Sequence, residues 1–140
     1  MNEHQTIQAI FKAGHTVAVV GLSPKPWRES FGVSRAMQAA GWRIIPVNPA
    51  AAERGETILG EKAYATLTDA ARHEKIDLVN VFRNAADVPP VADEAIAIGA
   101  PALWLQMGIR HDEAAARARA AGLNVVQDRC LKVEWAMRPR

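Results

Sequence analysis

Short apolar segments alternate with longer amphipathic segments along the chain. The apolar segments cover residues 16–20, 43–47, 77–82, 101–105 and 124–127. Each has about five residues and few charges, which is typical of strands that are covered on both faces of a sheet. The pattern therefore predicts five buried strands.

Between these segments, apolar residues recur every three or four positions, as they do on the buried face of a helix. The positions are Ile7, Ile10 and Phe11 in a first helix, Val33, Met37 and Ala40 in a second, and Val91, Ala95 and Ile98 in a later one. An alanine-rich helix is predicted over 112–121 and a short one over 67–73. Gly41, Gly99 and Gly122 follow predicted helices, where glycine commonly marks the end.

Alternation of strand and helix predicts right-handed crossovers and a mostly parallel sheet. We expect an α/β fold, a Rossmann-like doubly wound sheet of five or six strands with helices on both faces. Residues 50–75 are less regular, with Gly55 and Gly60. The 140 residues suit one domain over 1–140 and leave no room for a second.

Composition narrows the class of protein. Hydrophobic residues make up 49% and charged residues 23%, which is typical of a globular core. No apolar run approaches the roughly 18 residues of a membrane span, and the polar N-terminus lacks the features of a secretory signal. With 17 Lys and Arg against 15 Asp and Glu and no basic run, nucleic acid is not an expected partner. We expect a cytoplasmic protein that binds neither membrane nor nucleic acid.

The single cysteine, Cys130, excludes an intramolecular disulfide and a multi-cysteine metal site. His4, His15 and His73 show no metal-ligand spacing with one another, so we predict no metal.

Ligands of open α/β sheets bind at the carboxyl ends of the strands. The polar residues of this chain collect in the loops predicted at that edge. They are Ser23, Lys25, Arg28 and Ser30 after the first strand, Asn48 after the second, Arg83 and Asn84 after the third, Gln106 after the fourth, and Asp128, Arg129 and Cys130 after the fifth. We expect one binding surface there.

The loop after the first strand has the features of a phosphate site. Gly21 stands where the chain turns towards a helix N-terminus, whose N–H groups and dipole attract anions. Ser23 and Ser30 supply hydroxyl donors, and Lys25 and Arg28 supply positive charge. The alternative is a surface loop with scattered charges in which Ser30 caps the helix.

The dinucleotide-binding fingerprint is incomplete. Gly21 matches its first glycine, but Ser23 and Pro26 stand where the second and third belong. The second strand ends at Asn48 and Pro49, with no acidic residue to hold a ribose. An NAD(P)-dependent oxidoreductase stays an alternative that these departures oppose, and the lysine and hydroxyl of a P-loop are also absent.

Six separated motifs resemble one family. They are Val-Gly-Leu-Ser at 20–23 with Pro-Trp-Arg-x-Ser at 26–30, Ile-Ile-Pro-Val-Asn-Pro at 44–49, Ile-Leu-Gly-Glu at 58–61, Val-Phe-Arg at 81–83, Leu-Trp-Leu-Gln-x-Gly-Ile at 103–109, and Asp-Arg-Cys-Leu-Lys-x-Glu at 128–134. From about residue 10 to 135, the chain resembles the small stand-alone CoA-binding domain proteins. That family is similar to the N-terminal CoA-binding domain of the succinyl-CoA synthetase α subunit.

The resemblance implies coenzyme A or an acyl-CoA as the ligand. It implies that the diphosphate contacts Gly21, Ser23, Arg28 and Ser30, that the adenosine end lies between Asn48-Pro49 and Phe82-Arg83, and that the pantetheine arm passes Gln106 and Gly108 towards Cys130. Lys25 or Arg83 would meet a phosphate as a charge-assisted donor. Cys130 itself leaves two alternatives, a mixed disulfide with the CoA thiol or a small buried apolar residue.

Catalysis by this chain alone is not expected. No nucleophile with a base and an orienting group is visible, and the phosphorylated histidine of succinyl-CoA synthetase belongs to a second domain. We therefore interpret His111 as a helix-start residue. Trp42 and Trp104 are predicted core residues, whereas Trp27 would cover the ligand or pack against a second subunit. A CoA-sensing regulatory or partner subunit is a further alternative, and a homodimer or a partner protein stays open.

Overall fold

A parallel sheet of five strands forms the centre of the protein in the computed structural model, which describes residues 1–139. The strands, with those of a separate small hairpin, are β1 Thr16–Val20, β2 Arg43–Val47, β3 Thr57–Ile58, β4 Glu61–Lys62, β5 Leu78–Val81, β6 Ala102–Leu105 and β7 Asn124–Val126. The order in the large sheet is β2-β1-β5-β6-β7, and all its pairs are parallel. The predicted Rossmann-like fold is confirmed.

Helices cover both faces of this sheet. They are α1 Glu3–Ala13, α2 Glu29–Ala39, α3 Pro49–Glu53, α4 Leu67–Ala71, α5 Val88–Ala97, α6 Asp112–Ala120 and α7 Leu131–Ala136, with a 3₁₀ turn at Ala85–Asp87. One face packs against α4, α5 and α6, and the other against α1, α2 and α7. No helix within the described residues is long and apolar enough to cross a membrane.

The order in which strands are added to the sheet reverses at β1, although all the strands run in the same direction. From β1 the chain passes to β2 on one side and then returns to β5 on the other. Val20 is in register with Val47 of β2 and with Val81 of β5, so the three strands end at the same level. This is the switch point at which ligands of open α/β sheets bind.

An aromatic cluster fills the face of the sheet under α1 and α7. The ring of Phe11 stacks on Trp104 at 5.8 Å between centroids and meets the edges of Trp42 at 6.2 Å and Trp135 at 5.0 Å. Trp42 and Trp104 are fully buried, as predicted. The indole N–H of Trp104 donates to the carbonyl of Arg129 at 2.8 Å.

The irregular segment after β2 holds elements that the sequence did not predict. They are α3 and the β3–β4 hairpin, whose two-residue turn places Leu59 at φ 55° and Gly60 at φ 78°. Such left-handed turns match the twist of a hairpin. The predicted helix over 67–73 is α4, which ends two residues earlier, and α7 was missed altogether.

Replacement of Phe11 by alanine is expected to lower the free energy of unfolding by about 3–5 kcal/mol, because it leaves a cavity among three tryptophans. Urea denaturation followed by circular dichroism measures the change. The control is Lys12→Ala at the next, exposed position, for which a change within about 0.5 kcal/mol is expected. Equal losses in the two variants would contradict the assignment of Phe11 to the core.

Candidate functional site

The turn after β1 brings the backbone of Gly21 against β5. Gly21 has φ 87°, and its N–H donates to the carbonyl of Val47 at 3.0 Å. A Cβ at this position would lie 2.4 Å from the carbonyl oxygen of Phe82, so no other residue fits without movement of the backbone. The chain therefore leaves β1 directly across the end of β5.

Two serine hydroxyls tie the following loop together. The Oγ of Ser30, which is buried, accepts a hydrogen bond from the N–H of Ser23 at 3.0 Å, and the Oγ of Ser23 accepts from the N–H of Lys25 at 3.1 Å. A hydroxyl also carries a proton that it can donate. Both serines thus shape the loop and retain a donor for a ligand.

Helix α2 begins without a side-chain cap. Its N-cap residue is Arg28, which makes no capping hydrogen bond, and α5 and α7 also lack a side-chain cap. The other helices are capped by Asn2, Asn48, Thr66 and His111. The predicted alternative of a Ser30 cap is therefore wrong, whereas a surface loop with scattered charges stays an alternative to the phosphate site. Open N–H groups and the positive end of the helix dipole favour an anion at this terminus.

An open depression of about 400 Å³ lies at this helix start. Its lining residues are Gly21, Ser23, Lys25, Arg28, Glu29, Ser30 and Phe82. All five first-loop residues predicted for the phosphate site thus come together, and Phe82 from the neighbouring strand joins them. Glu29 was not predicted as a site residue, because cations and hydroxyls are the expected partners of a phosphate and a carboxylate is not.

The cations around the depression have no acidic partner within residues 1–139. Lys25, Arg28 and Arg83 are exposed and appear in none of the nine salt bridges, which lie elsewhere on the surface. Arg83 lies beside Gly21, its Cδ being 3.6 Å from the position of a Cβ there. Positive charge is therefore available to a ligand.

Asn48 has a structural role at the end of β2. Its Oδ1 accepts from the N–H of Ala51 at 3.0 Å, and its Nδ2 donates to the carbonyl of Leu22 at 2.9 Å. The side chain thus caps α3 and braces the loop after β1. Pro49 is the exposed first residue of α3. In the sequence, the Asn-Pro pair is the one feature that indicates the start of a helix here.

The two predicted site residues in the loop after β6 differ in exposure. Gln106 is fully buried, and its Nε2 donates to Oε1 of Glu29 at 3.3 Å. Gly108 is exposed with φ 86°, and its N–H donates to Asp128 Oδ1 at 2.7 Å. Gln106 therefore lies beneath the site, and Asp128 holds the turn.

Cys130 is buried at the start of α7, with 8% of its surface exposed. It packs in the apolar cluster of the face that α2 and α7 cover. The neighbouring guanidinium of Arg129 pairs with Glu3 at 2.6 Å and with Glu134 at 3.7 Å. Burial among apolar side chains makes a thiol inert, so this environment favours the packing alternative.

His111 and Trp27 occupy contrasting positions. Nδ1 of His111 accepts from the N–H of Ala114 at 3.1 Å, so His111 caps the start of α6, consistent with the sequence interpretation.

Trp27 has 77% of its surface exposed, and the Lys25 ammonium lies 5.9 Å from its ring centroid. A lid and a subunit contact both stay predictions for Trp27.

Comparison with known proteins identifies the family. Residues 15–136 match the model of a CoA binding domain family. The chain belongs to this CoA-binding family. YneT of Bacillus subtilis strain 168, an uncharacterized protein, is 42% identical over 131 residues, which are 94% of this chain and 93% of YneT. The structure of cell-free ID.343 from Thermus thermophilus is 38% identical with a TM-score of 0.87, and the match covers 97% of this chain and 98% of that one.

More distant structures share only the fold. GenD2 from gentamicin A biosynthesis, solved in complex with NAD, is 19% identical with a TM-score of 0.55. The match covers 80% of this chain and 33% of GenD2.

Two glycine substitutions compare the turn after β1 with the interior of helix α2. Gly21→Ala is expected to lower the free energy of unfolding by about 2 kcal/mol or more, because the new Cβ meets a carbonyl at a positive φ. Gly32→Ala, inside α2 with open space around its Cβ position, is expected to raise it by about 0.5–1 kcal/mol. Urea denaturation checks both, and a tolerated Gly21→Ala would contradict the described turn.

Cys130 is expected not to form an adduct with CoA. The protein would be incubated with CoA under mild oxidation and its intact mass measured, with Cys130→Ser as the control. The mass should be the same with and without CoA in both proteins, because the thiol is shielded. A CoA adduct on the wild type and not on the variant would restore the mixed-disulfide hypothesis.

Proposed function

We propose that this protein binds coenzyme A or an acyl-CoA, with the diphosphate over the first turn of α2, and that it has no catalytic activity of its own. The observation that carries the proposal is the uncapped start of α2 beside Lys25 and Arg28, two cations without an acidic partner in the described chain. Membership of the CoA-binding family supports the choice of ligand.

The proposed contacts follow from the donors around the depression. The first-turn N–H groups of α2 and the hydroxyls of Ser23 and Ser30 would donate to phosphate oxygens, and Arg28 would add a charge-assisted bond. Hydrogen bonds to charged groups contribute about 1.5–3 kcal/mol each. Gly21 has a different role, since its lack of a side chain lets the loop pass against the carbonyl of Phe82 and so brings these donors together.

The two ends of the ligand would lie on either side of this turn. Phe82, half-buried in the wall of the depression, offers an apolar face to adenine. Pro49 and Arg83 are exposed nearby, whereas the amide of Asn48 is engaged within the protein. The pantetheine arm would cross the exposed turn at Gly108. The buried side chain of Gln106 would support the loop after β6 from beneath.

A nicotinamide cofactor has less support. Ser23 and Pro26 replace two fingerprint glycines, and Asn48 replaces the ribose-binding acid and caps α3. The likeness to GenD2 concerns the fold alone.

The absence of catalysis is proposed from the engagement of the reactive side chains. Cys130 is buried, and His111 is bound to the backbone of α6. Reaction chemistry would then come from another chain, and a partner protein, a homodimer and a CoA-sensing role all stay predictions.

A ligand panel tests the proposal. Thermal unfolding would be followed with CoA, acetyl-CoA, dephospho-CoA, NAD, NADP and ATP, because a ligand that binds only the folded state raises Tm. We expect the largest rise with CoA or acetyl-CoA. A rise with NAD and none with CoA would contradict the assignment.

Arg28→Ala is expected to weaken CoA binding by about tenfold or more, since it removes a charge-assisted bond to the diphosphate. Isothermal titration calorimetry measures the affinity. Arg72→Ala is the matched control, because Arg72 follows α4 and pairs with Asp69. Unchanged CoA affinity in Arg28→Ala would place the diphosphate elsewhere.

A further inference from the structure

A carboxylate lies in the wall of the candidate phosphate site. Glu29 is the acidic member of the described lining, which otherwise carries Lys25, Arg28, two hydroxyls, a glycine and a phenylalanine. It forms no salt bridge with the described residues, so neither Lys25 nor Arg28 places its charged group within 4.0 Å of this carboxylate. A fixed negative charge beside a phosphate opposes binding unless the ligand also carries a group that donates a hydrogen bond to it.

A buried amide holds this carboxylate towards the sheet. Oε1 of Gln106 lies 3.2 Å from the N–H of Leu131 and 3.5 Å from Nδ2 of Asn80, which is itself buried. Because the amide oxygen faces these two donors, the amide nitrogen must face outwards, where it donates to Glu29 Oε1 at 3.3 Å. The orientation of Gln106 is thus set by its neighbours on β5 and α7.

The position of Glu29 between two loops suggests what it would meet. Its backbone belongs to the first turn of α2, and its hydrogen-bond partner belongs to the loop after β6. A ligand whose diphosphate lies at α2 and whose organic arm runs towards the loop after β6 passes this carboxylate. In CoA that arm carries a hydroxyl on the third carbon after the diphosphate and amide N–H groups beyond it, all of which can donate to a carboxylate.

We propose that Glu29 is a specificity-determining residue that accepts a hydrogen bond from a hydroxyl or amide N–H on the organic arm that follows the diphosphate. It disfavours phosphates that lack such a donor. Gln106 is its positioning residue. The inference rests on the proposed function, since it takes the diphosphate to lie at the start of α2.

The selectivity follows from two opposite effects of one charge. Inorganic pyrophosphate and ADP carry the phosphates without the donor arm, so they meet only repulsion from Glu29. CoA meets the same repulsion and gains a hydrogen bond to a charged acceptor.

Glu29→Gln tests this selectivity by titration calorimetry with inorganic pyrophosphate, ADP and CoA. We expect pyrophosphate and ADP to bind more tightly and CoA to bind equally or less tightly, so that the preference for CoA over pyrophosphate falls about tenfold. Glu113→Gln, an exposed change on α6, removes the same charge and should leave the preference unchanged. Equal gains for all three ligands would show a charge effect without a hydrogen bond and would overturn the proposal.

Gln106→Met tests the positioning role. Without the amide, Glu29 is free to turn into solvent, so the preference should fall as in Glu29→Gln, and the double variant should show no further fall. Thermal unfolding of the free variant separates a loss of stability from a loss of preference. A full additional fall in the double variant would overturn the role of Gln106.

Failure of the two proposals gives different results. Wild-type protein that binds none of the three ligands would overturn the proposed function, and the inference with it. Wild-type protein that binds CoA, together with an unchanged preference in Glu29→Gln, would overturn the inference alone.

Discussion

The close approach of Gly21 to the carbonyl of Phe82 is the contact on which the candidate site depends. It lets the chain leave β1 across the end of β5 instead of turning away from the sheet. The start of α2 is thereby brought to the switch point, where the ends of β1, β2 and β5 lie level. The cations and hydroxyls of the loop converge on one depression because this turn directs them there.

Polar groups inside the protein are concentrated beneath that depression. Asn80 lies in the central strand β5 and Gln106 at the end of β6, and both are buried. Oδ1 of Asn80 has no partner among the described residues, and an unpaired buried oxygen is destabilising. The aromatic cluster under α1 and α7 also contains one such group, because the buried indole N–H of Trp42 has no partner among the described residues.

The sequence predicted the features that depend on local pattern. Five apolar segments became the five strands of the sheet, and Gly21 with its loop residues met at one place. The missed elements are short: α3, α7 and the β3–β4 hairpin are too brief for a periodicity to develop. Asn48 shows a second limit, since an asparagine near a strand end looks the same whether it meets a ligand or caps a helix.

Glu29 shows a third limit of sequence reasoning. The direction of its carboxylate depends on Gln106, whose amide is oriented by Asn80 and by the N–H of Leu131. These four residues come from separate parts of the chain, and none of them forms a motif with another. Only the three-dimensional arrangement makes the carboxylate part of the wall.

The distribution of the indole rings has an optical consequence. Trp42 and Trp104 are shielded by the core, whereas Trp27 stands in water beside the depression. A soluble fluorescence quencher such as iodide or acrylamide therefore reaches the loop at the site far more readily than the centre of the molecule. The protein carries its own spectroscopic label at the place where a ligand would alter the surroundings of a single ring.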